Sequence, residues 1–164
     1  MVTITEALPN EYNIIQEIAR RTWPVAYRDI LSNAQLDYML ELFYSIEAIN
    51  QNAEDGHRFL IARSEGQIGG FASYQTDYKP RQTHIQKIYV LPEMQGRQVG
   101  RELMIRIQEI ALMAGQTVLS LNVNRNNSAQ HFYSGLGFKV VESTDIDIGH
   151  GYLMEDFIME KSLI

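Results

Sequence analysis

Ile85-Gln-Lys-Ile-Tyr-Val-Leu-Pro-Glu-Met-Gln-Gly-Arg-Gln-Val-Gly-Arg-Glu-Leu103 sets a strand, a tight loop and the start of a helix end to end. Ile85, Ile88, Tyr89 and Val90 are strand formers, Pro92 ends the ladder because it has no N–H to donate, and Gly96 and Gly100 bracket a short polar loop. Val99, Leu103, Ile107 and Ile110 then recur at helical spacing with Met104 and Ala111 beside them, while Arg101, Glu102, Arg106, Gln108 and Glu109 turn outward. A buried strand that runs through a glycine-bearing loop into a helix N-terminus presents several unpaired backbone N–H groups in one direction. Such a place binds phosphate.

Neither the strand-linked Gly-x-Gly-x-x-Gly of dinucleotide folds nor the Gly-x-x-x-x-Gly-Lys-Ser/Thr of nucleoside-triphosphate enzymes occurs here. The loop reads Gln95-Gly96-Arg97-Gln98-Val99-Gly100, behind Tyr89-Val90-Leu91-Pro92. Further on, Leu119-Ser-Leu-Asn-Val-Asn124 is a strand that leads into Arg125-Asn-Asn-Ser-Ala-Gln-His-Phe-Tyr-Ser-Gly-Leu-Gly-Phe138. There Asn126 or Asn127 caps a helix, Ala129, Phe132, Tyr133 and Leu136 fall on one face, and Gly137 suits the left-handed position that ends it. The first run resembles the acyl-CoA loop of the GCN5-related N-acetyltransferases (GNAT), Gln/Arg-x-x-Gly-x-Gly/Ala after a hydrophobic-x-Val-x-Pro strand end. The second resembles the same family's later motif, Asn-x-x-Ala-x-x-x-Tyr-x-x-x-Gly-Phe, and Asn126, Ala129, Tyr133, Gly137 and Phe138 meet all its fixed letters. One position departs: Gln98 stands in a slot where the family usually has glycine, so either a Cβ is tolerated there or the backbone path differs.

The resemblance implies the GNAT fold, a single α/β (mixed α+β) domain over residues 1–164. Its central sheet is mixed and mostly antiparallel, of about seven strands flanked by about four helices, with two central strands splayed apart to admit a pantetheine arm. It implies acetyl-CoA as acyl donor, no metal, and direct attack by a primary amine in a ternary complex. Tyr133 sits where the family places the tyrosine beside the CoA sulfur, and its phenol would donate to the leaving thiolate. A main-chain N–H near Val90, where the family's strand carries a bulge, would face the developing oxyanion. The backbone of Ile88, Tyr89 and Val90 would pair with pantetheine amides as a strand edge pairs with a peptide. Gln95, Gly96, Arg97, Gln98, Val99, Gly100 and Arg101 would take the pyrophosphate, and Asn122, Asn126, Ala129 and Phe132 complete the expected CoA side. Many members place a glutamate on the central strand, yet Arg81 to Pro92 holds no acidic residue. His84 or an ordered water is left as the base.

Outward from this centre, Val2 to Thr5 alternates as a short strand. Asn10 offers an N-cap for a helix with Ile14, Ile15, Ile18, Ala19 and Trp23 on one face, which Pro24 is expected to interrupt. Ser32-Asn-Ala-Gln35 is a capping box that opens a second helix through Leu36, Met39, Leu40 and Phe43. His57 to Arg63 and Gln67 to Thr76 form a hairpin around Ser64-Glu65-Gly66, with Gly69-Gly70 marking a bulge or a close backbone approach. Lys79-Pro80-Arg81 is a loop, the central strand starts near Thr83, and Tyr152 to Glu160 is the closing strand.

In the family such early helices flank the acceptor entrance, which makes Trp23, Tyr27, Tyr38 and Tyr44 candidate groove residues, although aromatic stripes on helices are as a rule core. Glu142, Asp145, Asp147, Glu155 and Asp156 gather near the C-terminus around Gly149-His-Gly151, and Glu155 is taken as the substrate contact. Lys87-Ile-Tyr-Val-Leu-Pro92, Leu121-Asn-Val-Asn-Arg-Asn126 and the ending Gly151 to Glu160 resemble the PaiA-like branch of bacterial acetyltransferases, members of which acetylate spermidine and spermine. A polyamine is therefore one expected acceptor. A protein N-terminus, a lysine or another small amine stays open, as does a CoA-binding regulatory module without turnover.

The remaining composition narrows the classes. With 45% hydrophobic and 21% charged residues the chain is expected to fold as one globular unit. It has no cysteine, which removes disulfides, thiolate metal sites and a cysteine acyl-enzyme, and His57, His84, His131 and His150 show no metal-ligand spacing. A net charge of −6 without a basic stripe argues against nucleic acid. No run is apolar enough to span a membrane, so cytoplasmic location is the default expectation. A homodimer through the last strands is compatible with Phe157, Ile158 and Met159, which would equally suit an internal strand.

Overall fold

The computed structural model describes residues 1–164. Seven strands form one sheet in the order β1-β2-β3-β4-β5-β7-β6. β1 is Val2–Glu6, β2 Arg58–Ser64, β3 Gln67–Lys79, β4 Gln82–Val90, β5 Val118–Asn124, β6 Lys139–Gly149 and β7 Tyr152–Ser162. Only the β4·β5 pair is parallel. Helices α1 (Tyr12–Ala26), α2 (Asn33–Tyr44) and α3 (Ile46–Glu54) separate β1 from β2, α4 (Val99–Met113) joins β4 to β5, and α5 (Ala129–Gly135) joins β5 to β6. Ile15, Ile18, Phe71, Ile85, Leu103, Ile107 and Leu119 are fully buried in the core between sheet and helices. No helix is long and apolar enough to cross a membrane.

The sheet opens where the parallel pair parts. β4 and β5 pair only from Gln82↔Val118 to Ile85↔Leu121, although β4 runs on to Val90 and β5 to Asn124. Leu91 N–H donates to Gly69 O at 2.8 Å, so strand alternation turns the amide groups of Ile88 and Val90 away from β3 and into the gap. The splayed strands of the expected fold are thus present.

Several sequence expectations need correction. α1 begins after a 3-10 turn at Pro9–Glu11, not at an Asn10 cap, and it runs two residues past Pro24, which removes one hydrogen bond close to the point where the helix ends. There are three early helices, not two, and five in all. α3 was hidden because Ser45 both ends α2 and caps the next helix, its Oγ accepting from Ala48 N–H at 3.2 Å. The Ser32 box is half formed: Ser32 Oγ accepts from Gln35 N–H, but the Gln35 amide reaches Leu153 O instead. The β4 bulge is at Gln86, where the register shifts against Ser73 and Tyr74, and not at Val90. Of the two placements left open for the closing strand the internal one is present, β7 lying between β5 and β6 with β6 at the edge.

The glycines of β3 act as expected. Gly69 is the extra residue between the Ala62↔Gly70 and Arg63↔Ile68 pairs, and a Cβ on Gly70 would stand 2.5 Å from Tyr89 O. β3 and β4 therefore approach more closely than any side chain at Gly70 allows.

Candidate active site

A cleft of about 1050 Å³ enters the sheet at the splay, bounded by β4, β5, the N-terminus of α4, α5 and the aromatic face of α1. Its phosphate end follows from local chain geometry. Gln98 adopts φ 66°, ψ 13°, a left-handed residue immediately before α4, and the N–H groups of Gln98, Val99, Gly100 and Arg101 have no main-chain acceptor. Gln95, Gly96, Gln98, Val99, Gly100 and Arg101 line this end, whereas Arg97 lies outside the lining. Gln98 thus carries its Cβ in a left-handed conformation that glycine adopts without strain. The free edge of β4 continues the path, with Val90 O accepting only a long contact from Gln95 Nε2 at 3.4 Å. A fan of unpaired N–H groups followed by an unpaired strand edge fits a pyrophosphate and an amide-bearing arm.

At the centre of the splay stand Tyr133 from α5, Asn122 from β5 and Asp156 from β7. Tyr133 is buried, and burial first, then the neighbouring Tyr27, raises its phenol, which stays protonated and makes no hydrogen bond within the chain. Asp156 is 3% exposed; burial raises its carboxyl, while the Asn122 amide, donating to Oδ2 at 3.3 Å, and Arg125 pull it back. Tyr27 and Tyr89 join the wall through a 2.9 Å hydroxyl contact, and the Trp23 ring packs against both at 4.7 and 5.6 Å. Ala129 and Phe132 line the α5 side.

Several candidates fall elsewhere. His84 is buried outside the cleft lining, its Nδ1 on Ser120 Oγ at 2.7 Å and its ring stacked on Tyr78 at 4.3 Å. Burial pushes it down to about 4, so it is held as a neutral core histidine and does not reach the splay. Asn126 is outside the lining; Asn127 lines it instead and caps α5, its Oδ1 accepting from Ala129 N–H at 2.9 Å. Tyr38 ties α2 to the β6–β7 turn by donating to Ile148 O and packing against His150, away from the cleft. Glu155 points to the opposite face of β7 from Asp156. Alternation along Met154, Glu155 and Asp156 allows only one of the two carboxylates to face the splay, and the one set in line with Met154 is the one that does.

At the far end of the cleft the sequence named Trp23 and Tyr44 but not Lys87, His57 or Gln86. Lys87 from β4, His57 before β2 and Tyr44 from α2 line it together with Trp23 and Gln86. Burial lowers the Lys87 ammonium to about 8, and it forms no ion pair; its only cationic contacts are the Tyr44 and Phe59 rings at 5.1 and 5.7 Å. The bulge at Gln86 is the signal that mattered, because it brings Gln86 and Lys87 together at the cleft.

Comparison with known proteins agrees with this geometry. The family model described as Acetyltransferase (GNAT) family matches residues 12–138. An uncharacterised N-acetyltransferase of Mycobacterium tuberculosis is 27% identical over 90% of this chain and 94% of its own. The spermidine N(1)-acetyltransferase of Thermoplasma acidophilum is 28% identical over 88% of this chain and 87% of its own. The crystal structure of the PaiA N-acetyltransferase from Thermoplasma acidophilum in complex with coenzyme A superposes with a TM-score of 0.81 at 25% identity, covering 99% of both chains.

Proposed function

The chain belongs to the GNAT acetyltransferase family and is an acyl-CoA-dependent N-acetyltransferase, and from that premise we propose how its cleft performs the transfer and which amine it takes. The observation that carries the reading is the pairing, at one splay, of a carboxylate raised by burial with a phenol held protonated. Acetyl-CoA supplies a thioester carbonyl; the residues of this chain position and protonate around it. The α4 N–H fan holds the pyrophosphate, and Ile88 and Val90 hold the pantetheine amides. The acceptor arrives as an ammonium, Asp156 draws it in and takes its proton, and the freed amine attacks the carbonyl. The C–N bond forms as the C–S bond breaks, and Tyr133 donates its proton to the leaving thiolate. Solvent carries the proton from Asp156 back to Tyr133, and the second proton, shed by the attacking nitrogen as the amide forms, passes through the emptied Asp156 carboxylate to solvent. Asp156 takes the base role that the sequence offered to His84, since Asp156 lines the cleft and His84 does not.

For the acceptor, a polyamine is supported by the Asp156 carboxylate and by the similarity to a spermidine acetyltransferase. A second reading, an amine that also carries an anionic group, is favoured by the cation Lys87 in the same cleft. Thiol release from acetyl-CoA across spermidine, spermine, ω-amino acids and peptides separates these, and the absence of cysteine keeps the protein's own background at zero. Tyr133→Phe is expected to lower kcat by about 10- to 100-fold with the KM for acetyl-CoA little changed, and Asp156→Asn to lower kcat/KM for the amine by about 100-fold or more. Full turnover by either variant removes that residue from its role.

A further inference from the structure

Five buried side-chain polar atoms in this chain lack a hydrogen-bond partner: Trp23 Nε1, Tyr44 Oη, His57 Nδ1, Ser73 Oγ and Gln86 Oε1. Four of these residues, all but Ser73, line one end of the cleft, and Lys87 lines it with them. Buried polar groups are as a rule satisfied, so orphans gathered at a cavity wall mark a place shaped for a polar ligand. The inventory tells which kind. Lys87 has three N–H donors and no acceptor, the Trp23 indole has one donor, which lies toward the Tyr44 oxygen and lowers that phenol against the larger rise from burial, the Tyr44 O–H is left free to donate, and Gln86 Oε1 is the one pure acceptor beside them.

These groups converge. The Lys87 ammonium lies 5.1 Å from the Tyr44 ring centroid, and the Tyr44 and Trp23 rings are 5.5 Å apart. No carboxylate pairs with Lys87, although six ion pairs form elsewhere in the chain. We propose that Lys87, Trp23 and Tyr44 form a carboxylate subsite, so that the amine acetylated by this enzyme carries a carboxylate at the end remote from Asp156. The inference rests on the amine-acetylation reading above and selects its second acceptor class. The cleft is then bipolar: Asp156 takes the ammonium at the splay, Lys87 takes the carboxylate at the α2–β2 end, and a second ammonium, as in a polyamine, would meet the like charge of Lys87.

The test uses two acceptors of one length, 5-aminopentanoate and 1,5-diaminopentane, which differ only in the terminal group. Trp23 is the chain's single tryptophan, so its emission reports on the subsite without turnover. With coenzyme A present, 5-aminopentanoate is expected to shift Trp23 emission saturably and the diamine not to, and thiol release is expected to favour the amino acid in kcat/KM. Lys87→Met, checked for folding by its thermal melt, is expected to move the ratio of the two kcat/KM values toward the diamine by about 10- to 100-fold. Preference of the wild-type chain for the diamine, a Trp23 signal absent with 5-aminopentanoate, or a ratio unmoved in Lys87→Met overturns the subsite. Saturable binding of 5-aminopentanoate without acetyl transfer to any amine refutes the transfer reading and leaves the subsite standing.

Discussion

Gly70→Ala tests the close approach of β3 to β4 on which the splay is built. The added Cβ would stand 2.5 Å from Tyr89 O, 3.2 Å from Val90 Cα and 3.4 Å from Tyr89 C, all main-chain atoms that no rotamer change can move. Reaching an ordinary contact requires β4 to withdraw by about 0.7 to 1 Å. Overpacking against backbone costs about 3 kcal/mol, offset by about 0.5 to 1 kcal/mol from the less flexible unfolded chain, for a net loss near 2 kcal/mol. For a chain of this length that lowers Tm by about 4 to 8 °C. Tyr89 and Val90 also carry the cleft wall, and a shift of about 1 Å there is expected to lower kcat/KM for acetyl transfer by about 10- to 100-fold. Gly69→Ala is the control, since its Cβ would meet the Val99 methyls at 3.3 and 3.4 Å and Ala62 O at 3.4 Å, and a valine side chain can give. It is expected to stay within about 1 kcal/mol of wild type. Urea unfolding and thiol release on the two variants decide the matter: a Gly70→Ala chain as stable and active as Gly69→Ala refutes the backbone approach.

Three further outcomes are expected. Gln98→Gly relieves about 1 to 2 kcal/mol of left-handed strain and gives back about 0.5 to 1 kcal/mol of unfolded-state entropy, so urea unfolding should show a gain of about 0.5 to 1 kcal/mol; a loss contradicts the strain at Gln98. His84 has a folded pKa of about 4 below an unfolded value near 6.5, so the unfolded chain takes up the proton first as pH falls. Stability from this residue is full above pH 6.5 and lost progressively below it, by about 2 kcal/mol between pH 7 and 5, and a His84→Asn chain whose stability declines just as steeply rules the residue out as the cause. Arg125 donates from Nη1 to Ser143 Oγ, Thr144 O and Asp156 O and pairs through Nη2 with Asp145 at 2.7 Å, so Arg125→Met should cost about 2 to 3 kcal/mol in urea unfolding; a cost under 0.5 kcal/mol shows that the clamp is idle.

The acyl-donor half of the cleft was more legible in the sequence than the acceptor half, of which only the aromatic residues Trp23, Tyr27 and Tyr44 were named, for a physical reason. On the proposed reading the donor is gripped by backbone: an N–H fan at Gln98 to Arg101, a strand edge at Ile88 and Val90, and a short helix placing Tyr133. Backbone geometry is set by glycine, proline and cap residues at fixed local spacing, and those are letters a sequence displays. The miss at Asn126 was one residue wide, because either asparagine satisfies the spacing and only the turn decides which side chain meets Ala129 N–H. The acceptor end instead joins side chains from α1, α2, β4 and β7, brought together by a bulge at Gln86 and by a helix, α3, that starts at the same Ser45 on which α2 ends. Nothing within a local window ties Lys87 to Tyr44 or Asp156 to Tyr27. His84 drew attention because its ordinary pKa is near neutrality, yet burial decides a histidine's role, and burial is a tertiary property. Relatives with the same loop and the same Tyr133 motif are therefore expected to share the donor, while the residues at Lys87 and Asp156 are the ones whose exchange should change the acceptor.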